Sequence, residues 1–328
     1  MKNRRLTGFV AATHTPFKAD GTLNLAMVEA QAAHLLRNSI RTAFIGGSTG
    51  ECHSLSLQER LQLTERWVQV ARGTPVQIAV HVGSNCLGDA QALAAQAGKL
   101  GVAAISALAP SYFKPRNLTG LVEWCAAIAA AAPQTPFYYY DIPTLTGVHY
   151  PMVDFLAQAA DRIPTLLGIK FTSYDLFSYQ LCLRLDGGMF DVLWGADEAL
   201  LAALSLGGQN AIGTSYNYAA PVFHRLLRAV RSGALQDAAQ EQFRIAQLIQ
   251  LFARYGVLAA TKVVMGLLGV EVGPVRLPHA NLTAEQRATF RTELEELGFF
   301  DWIAPEGAQA GELAPTSHAS GVSGHQAA

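Results

Sequence analysis

The chain has 328 residues, half of them hydrophobic and 15% charged, with a formal net charge of −1. That length permits one large core, and the near-neutral charge excludes the basic footprint of a nucleic-acid binder. No run of eighteen apolar residues is present to span a membrane, and the basic start, Met1-Lys2-Asn3-Arg4-Arg5, leads into no apolar stretch that would make it a secretory signal.

A cytoplasmic location is therefore expected. Cys52, Cys86, Cys125 and Cys182 are scattered, with no Cys-x-x-Cys pair. They read as buried free thiols of a reducing compartment, with no structural zinc.

Short apolar runs rich in β-formers predict strands over 8–13, 42–47, 76–82, 103–108, 136–141, 166–171, 191–195 and 210–214. Alanine- and leucine-rich amphipathic stretches between them predict helices over 25–36, 57–72, 86–100, 118–132, 151–160, 173–183 and 198–206. Ser56 with Glu59 three residues on forms a capping box that opens the second helix. Gly73 and Pro75 close that helix and start the next strand.

Eight strands each leading into a helix give the α/β pattern of a (β/α)8 TIM barrel. A doubly wound open sheet is the rival, and it usually carries Gly-x-Gly-x-x-Gly after its first strand. Here that strand leads into Thr13-His14-Thr15-Pro16-Phe17. The barrel is the better reading. Further helices over 234–255, 257–268 and 284–297 exceed a minimal barrel and predict a C-terminal helical extension. The expected division is a barrel over 1–225, an extension over 226–303 and a disordered Gly-, Ala-, Ser- and Pro-rich tail over 304–328.

In such a barrel the working groups sit at the C-terminal ends of the strands. The second strand ends in Gly46-Gly47-Ser48-Thr49-Gly50-Glu51, which is either an ordinary glycine-rich turn or a pocket for a small anion. It lacks the Gly-Lys-Ser/Thr ending of a nucleotide loop, which argues against ATP. Glu51 reads as structural, holding the loop through backbone N–H groups.

The fifth strand ends in Tyr138-Tyr139-Tyr140-Asp141. Strand alternation sends Tyr139 to one face and Tyr138 and Tyr140 to the other, with Tyr140 best placed to meet a ligand. The sixth strand, Leu166-Leu167-Gly168-Ile169-Lys170-Phe171, sets one amine in an apolar run. Lys170 either snorkels its head to water or is buried, deprotonated and nucleophilic. Thr172 follows. The seventh strand ends in Gly195-Ala196-Asp197-Glu198, where the acids either cap a helix or bind hydroxyls. The eighth ends in Gly213-Thr214-Ser215. Together these groups suit Schiff-base chemistry on a hydroxylated 2-oxo acid.

Gly-Gly-Ser-Thr-Gly-Glu (46–51), Tyr-Tyr-Tyr-Asp-Ile-Pro-Thr-Leu-Thr-Gly-Val (138–148), Gly-Ile-Lys-Phe-Thr (168–172) and Gly-Thr-Ser-Tyr-Asn-Tyr (213–218) resemble the N-acetylneuraminate lyase, or sialic acid aldolase, family. That family belongs to the pyruvate-dependent class I aldolases, together with dihydrodipicolinate synthase. The likeness covers roughly the first 300 residues, and its wording is closer to the animal-type lyases than to the commonest bacterial ones.

The resemblance implies a homotetrameric enzyme that cleaves N-acetylneuraminate reversibly to N-acetylmannosamine and pyruvate, with no metal or organic cofactor. Lys170 would form the Schiff base, and Tyr140 would assist proton transfer. Ser48 and Thr49 would hold the substrate carboxylate, while Thr172, Gly195, Asp197, Glu198 and Thr214 would contact the sugar chain. Tyr112 matches a tyrosine that some relatives lend to a neighbouring subunit.

Two departures bear on the substrate. Dihydrodipicolinate synthases carry an arginine shortly after the Tyr-x-x-Pro segment, whereas Thr144-Leu145-Thr146 stands here. Lyases show His or Asn where Asp141 stands, and a carboxylate close to Tyr140 would raise that tyrosine's pKa. The alternatives are an aldolase for another 2-oxo-3-deoxy sugar acid, dihydrodipicolinate synthase itself and, in another class, a non-catalytic 2-oxo acid sensor.

Overall fold

The structure is a computed structural model and describes residues 5–304. Residues 1–4, and all but Ala304 of the predicted tail over 304–328, lie outside the described residues. Eight parallel strands close on themselves in chain order: β1 (Phe9–Ala12), β2 (Thr42–Ile45), β3 (Gln77–His81), β4 (Ala104–Leu108), β5 (Phe137–Asp141), β6 (Leu166–Phe171), β7 (Asp191–Trp194) and β8 (Ala211–Gly213). Closure is made by β1 against β8, with Phe9, Val10 and Ala11 opposite Ala211, Ile212 and Gly213. The predicted strands are all present, each trimmed by no more than two residues at either end except β6, which keeps its predicted bounds.

The helices around the barrel are α1 (Met27–Arg37), α2 (Leu57–Ala71), α3 (Leu87–Leu100), α4 (Leu118–Ala129), the single turn α5 (Pro143–Thr146), α6 (Met152–Ala160), α7 (Leu176–Arg184), α8 (Leu200–Ser205) and α9 (Ala220–Ser232). The capping box of α2 is formed: the Glu59 amide donates to Ser56 Oγ at 3.2 Å, and the Ser56 amide donates to Glu59 at 2.9 Å. α9 spans position 225, where the sequence divides barrel from extension, and carries Pro221 in its first turn, where proline fits. The chain continues through α10 (Leu235–Tyr255), α11 (Val257–Leu267), α12 (Ala284–Leu297) and α13 (Phe299–Ile303). Among the described residues no single helix is long and apolar enough to cross a membrane.

Strand alternation separates two cores. Side chains such as Phe137, Tyr139, Ile169 and Phe171 point outward into the layer beneath the helices, whereas Val10, Phe44, Tyr138, Tyr140 and Leu193 fill the barrel interior. Strand β6 changes phase part-way. Its pairing with β5 steps from Leu166 to Gly168, a bulge, so Leu167 and Lys170 both project inward although they stand three positions, an odd step, apart. Only glycine fits at 168, because a Cβ there would lie 1.7 Å from the Asp191 carbonyl oxygen.

The lower end of the barrel is sealed. The Tyr138 hydroxyl donates to Asp191 Oδ2 at 2.7 Å and accepts the Leu6 amide at 3.2 Å, while Asn210 donates to Asp191 Oδ1 at 3.0 Å. The void left among Leu6, Ala79, Ala104, Leu193 and Ile212 is about 10 Å³, no more than a single water's worth of space.

Candidate active site

Lys170 is buried, 5% exposed, in the barrel interior. Its Nζ lies 4.0 Å from the centre of the Tyr140 ring and 4.6 Å from that of Phe44, with no ion pair among the described residues. The snorkelling alternative is thereby removed. Burial pulls the amine down from 10.5 to about 7, against the opposing pull of Asp197 and Cys52. About half the molecules then carry a neutral amine near pH 7, against roughly one in three thousand for an ordinary lysine.

Tyr140 continues the site upward. Its hydroxyl meets Ser48 Oγ at 3.2 Å, and burial holds it above the usual tyrosine range, so it stays protonated. Thr49 Oγ1 meets Thr214 Oγ1 at 2.7 Å, joining the ends of β2 and β8. Thr15 Oγ1 donates to the Gly50 carbonyl at 2.6 Å, which fixes the loop from the side of β1. A cleft of about 550 Å³ opens over this hydroxyl cluster, lined by Ser48, Thr49, His53, Leu145, Thr214 and Tyr255 among others.

Of the candidates, Ser48, Thr49 and Thr214 line that cleft; Lys170, Tyr140 and the remaining ones do not. The Thr172 amide donates to the Asp141 carbonyl at 2.9 Å, and its buried hydroxyl faces the Tyr140 hydroxyl, whose rise in pKa it opposes. The Gly195 amide donates to the Phe171 carbonyl at 2.8 Å. Asp197 is buried: Oδ2 accepts the Ser215 amide at 2.8 Å, and the carboxylate also interacts with the Ser215 and Tyr216 side chains. Burial raises Asp197 to about 6, with the Ser215 bond opposing. Glu198 stands at the rim, accepting from the Tyr174 hydroxyl. Of the two acids only Glu198 is therefore open to solvent.

Asp141 is a correction. It shares the outward parity of Tyr139 and opens on an outer cleft of about 410 Å³ with His149 and Asp175, away from Tyr140. Burial, with Asp175 adding to it, raises its carboxyl to about 7. The Asp141 charge acts on Tyr139, and what lifts Tyr140 is its own burial. Cys86 is a second correction: it is exposed, while the other three thiols are buried, and all four are unpaired.

Glu51 is structural in a way the sequence leaves unspecified. Fully buried, it pairs with Lys262 of α11 at 2.7 Å and accepts the Arg276 amide at 2.8 Å. Lys262 also donates to the carbonyls of Thr15 (3.0 Å) and Pro274 (2.7 Å). The 46–51 loop is thus tied to the helices that follow the barrel. Two residues that sequence reasoning passed over, Arg60 and His81, lie buried behind the same loop. The signal for His81 was a polar residue at the C-terminal end of an apolar strand.

Comparison with known proteins follows the same lines. Residues 5–297 match the dihydrodipicolinate synthetase family. N-acetylneuraminate lyase A of Xenopus laevis is 38% identical over 298 residues, 90% of this chain and 97% of the relative. Two solved structures superpose with a TM-score of 0.87 over 90% of this chain: N-acetylneuraminate lyase from Proteus mirabilis (38% identical, 99% of that chain) and from Aliivibrio salmonicida (39%, 98%). The Proteus and Aliivibrio lyases are thus as similar as the amphibian one, whereas the sialic acid aldolase of Ruminococcus gnavus is 25% identical over 90% of this chain and 98% of that chain, with a TM-score of 0.84.

Proposed function

This chain belongs to the dihydrodipicolinate synthetase family, and from that premise we propose that it is a Schiff-base aldolase cleaving N-acetylneuraminate reversibly to N-acetylmannosamine and pyruvate. The observation that carries the reading is the Lys170 amine, buried without an ion pair among the described residues and drawn to a pKa of about 7 in the barrel interior. A desolvated neutral amine is what attack on a ketone requires.

In the proposed reaction, Lys170 Nζ adds to C2 of the open-chain sugar acid, and loss of water gives a protonated imine. A proton leaves the C4 hydroxyl, the C3–C4 bond breaks, and its electron pair flows into the imine to form an enamine. The aldehyde departs. Protonation of the enamine at C3 and hydrolysis then release pyruvate and restore the amine. Tyr140, hydrogen-bonded to Ser48, carries the proton; Ser48 and Thr49 bind the carboxylate. Thr172, Gly195, Asp197, Glu198 and Thr214 serve the sugar chain, Asp197 from beneath and Glu198 from the rim.

A homotetramer in the cytoplasm is part of the same reading. The exposed edge-to-face pair Tyr112 and Phe113 offers an apolar contact for a second copy. Incubation with N-acetylneuraminate and assay of pyruvate tests the substrate; no release at millimolar concentration would favour another 2-oxo-3-deoxy sugar acid. Borohydride reduction with pyruvate, followed by peptide mapping, tests the chemistry. An unmodified Lys170 would end it.

A further inference from the structure

Arg60 of α2 is 5% exposed, and no carboxylate lies within ion-pair distance of it among the described residues. Its guanidinium donates to neutral oxygens only: Nη1 to the Gly83 carbonyl at 2.8 Å and Nη2 to the His81 carbonyl at 2.8 Å. Nη2 also approaches His81 Nδ1 at 3.3 Å. Asp89 acts on it only from beyond ion-pair distance, and a buried cation so weakly balanced is costly and calls for a reason.

The reason lies on the other side of His81. Its Nδ1 is 3.0 Å from the Gly46 carbonyl oxygen, which can only accept, so Nδ1 carries the proton and the imidazole is neutral. Burial first, and the Arg60 charge next, lower its pKa well below the usual value and keep it so. A protonated Nδ1 has no lone pair for the guanidinium, so the ring's hydrogen bond goes to the Gly46 carbonyl alone, and the Arg60 charge, held against the ring by the His81 and Gly83 carbonyls, reaches the Gly46–Gly47 peptide at the foot of the 46–49 loop through space. The same ring is wedged edge-on against Tyr140 (5.8 Å between centres) and Phe44 (6.1 Å), and Phe44 in turn meets Tyr140 (6.0 Å).

A substrate carboxylate entering the loop meets neutral hydroxyls. Lys170 must be uncharged to react, and Lys262 is already paired with Glu51. The nearby carboxylates of Asp197 and Glu198 oppose a further anion. Arg60 is the permanent charge left to balance it.

We propose that Arg60 and His81 are positioning residues of this site, His81 holding the Gly46 carbonyl and Arg60, across the His81 ring, supplying the positive field that draws the substrate carboxylate into the loop. The inference rests on the Schiff-base reading above.

The test uses two carbonyl probes, pyruvate and the uncharged acetaldehyde, each trapped with borohydride and quantified as label on Lys170. In folded Arg60→Gln the half-saturating pyruvate concentration rises by roughly tenfold, while that for acetaldehyde is unchanged, and Arg60→Lys recovers part of the loss. An unchanged pyruvate value, or an equal loss for both probes, overturns the proposal.

Should Arg60→Gln not fold, His81→Asn against His81→Phe decides it. Asparagine keeps an N–H toward Gly46, whereas phenylalanine keeps only the ring. The proposal requires pyruvate trapping to weaken in the second alone, and equal values in both variants overturn it. Wild-type protein left unlabelled by pyruvate would instead overturn the Schiff-base reading, and the inference with it. That outcome is distinct from a labelled wild type with unaffected variants.

Discussion

The Lys170 amine sits over the face of the Tyr140 ring, 4.0 Å from its centre, while the tyrosine hydroxyl points on to Ser48 at 3.2 Å. Ring and hydroxyl thus have separate tasks. The ring face can steady positive charge on nitrogen, as ammonium or as iminium, and the hydroxyl is free to move protons.

Tyr140→Phe should therefore still be trapped by pyruvate and borohydride while cleavage falls about 10²–10⁴-fold, the usual worth of a positioned acid–base group. Lys170→Met should abolish both trapping and cleavage without lowering the melting temperature, because it removes a desolvated amine and keeps its volume.

The pH dependence follows from the amine. With Lys170 at about 7, kcat/KM should fall as pH drops through 7, since the free enzyme becomes an ammonium. Asp197 raises that pKa, so Asp197→Asn should move the acid limb to lower pH, whatever it does to the plateau. The stability sign is the reverse of a salt-bridged lysine. The folded pKa lies below the unfolded one, so this group's contribution grows as pH rises from about 7 towards 10.5.

A Cβ at position 213 would lie 1.7 Å from Asp197 Oδ1. Gly213→Ala must push the carboxylate off the Ser215 amide and should destabilise the protein by about 1–3 kcal/mol, read by urea titration. An unshifted midpoint would show that the carboxylate has somewhere else to go.

Breaking the Glu51–Lys262 pair leaves one buried charge alone. Glu51→Ala should destabilise by about 3–5 kcal/mol. The double variant Glu51→Gln, Lys262→Met should recover much of that, as a thermal melt of the three proteins would reveal.

Asp141 behaves in the opposite way. Its folded pKa of about 7 exceeds the unfolded value of 3.8, so the folded carboxylate is penalised as pH rises between them. Asp141→Asn should stabilise by about 1–3 kcal/mol at pH 8 and by almost nothing near pH 4. An equal gain at both pH values would assign the effect to packing.

The strands were legible because parallel barrel strands are apolar on both faces and bounded by glycine and polar loops. The parity of Tyr138, Tyr139 and Tyr140 followed from the two-residue strand period. The same rule, carried one residue further, places Asp141 with Tyr139, so its outward direction was in the sequence to be read. The inward turn of Lys170 was not, because it depends on the bulge at Leu167–Gly168, and a pairing shift leaves no mark in hydropathy. The Glu51–Lys262 pair joins residues 211 positions apart and needed the fold. The division at 225/226 cuts through α9, whose Pro221 marks a helix start.

The plug of Tyr138, Asp191, Leu6 and Asn210 has a kinetic corollary. With its base stoppered, the barrel is a blind alley, and everything enters and leaves by one doorway. In the proposed reaction the three-carbon half would stay tethered to Lys170 while the aldehyde half, nearer the exit, leaves first. In the synthetic direction pyruvate would then be seated before its partner arrives.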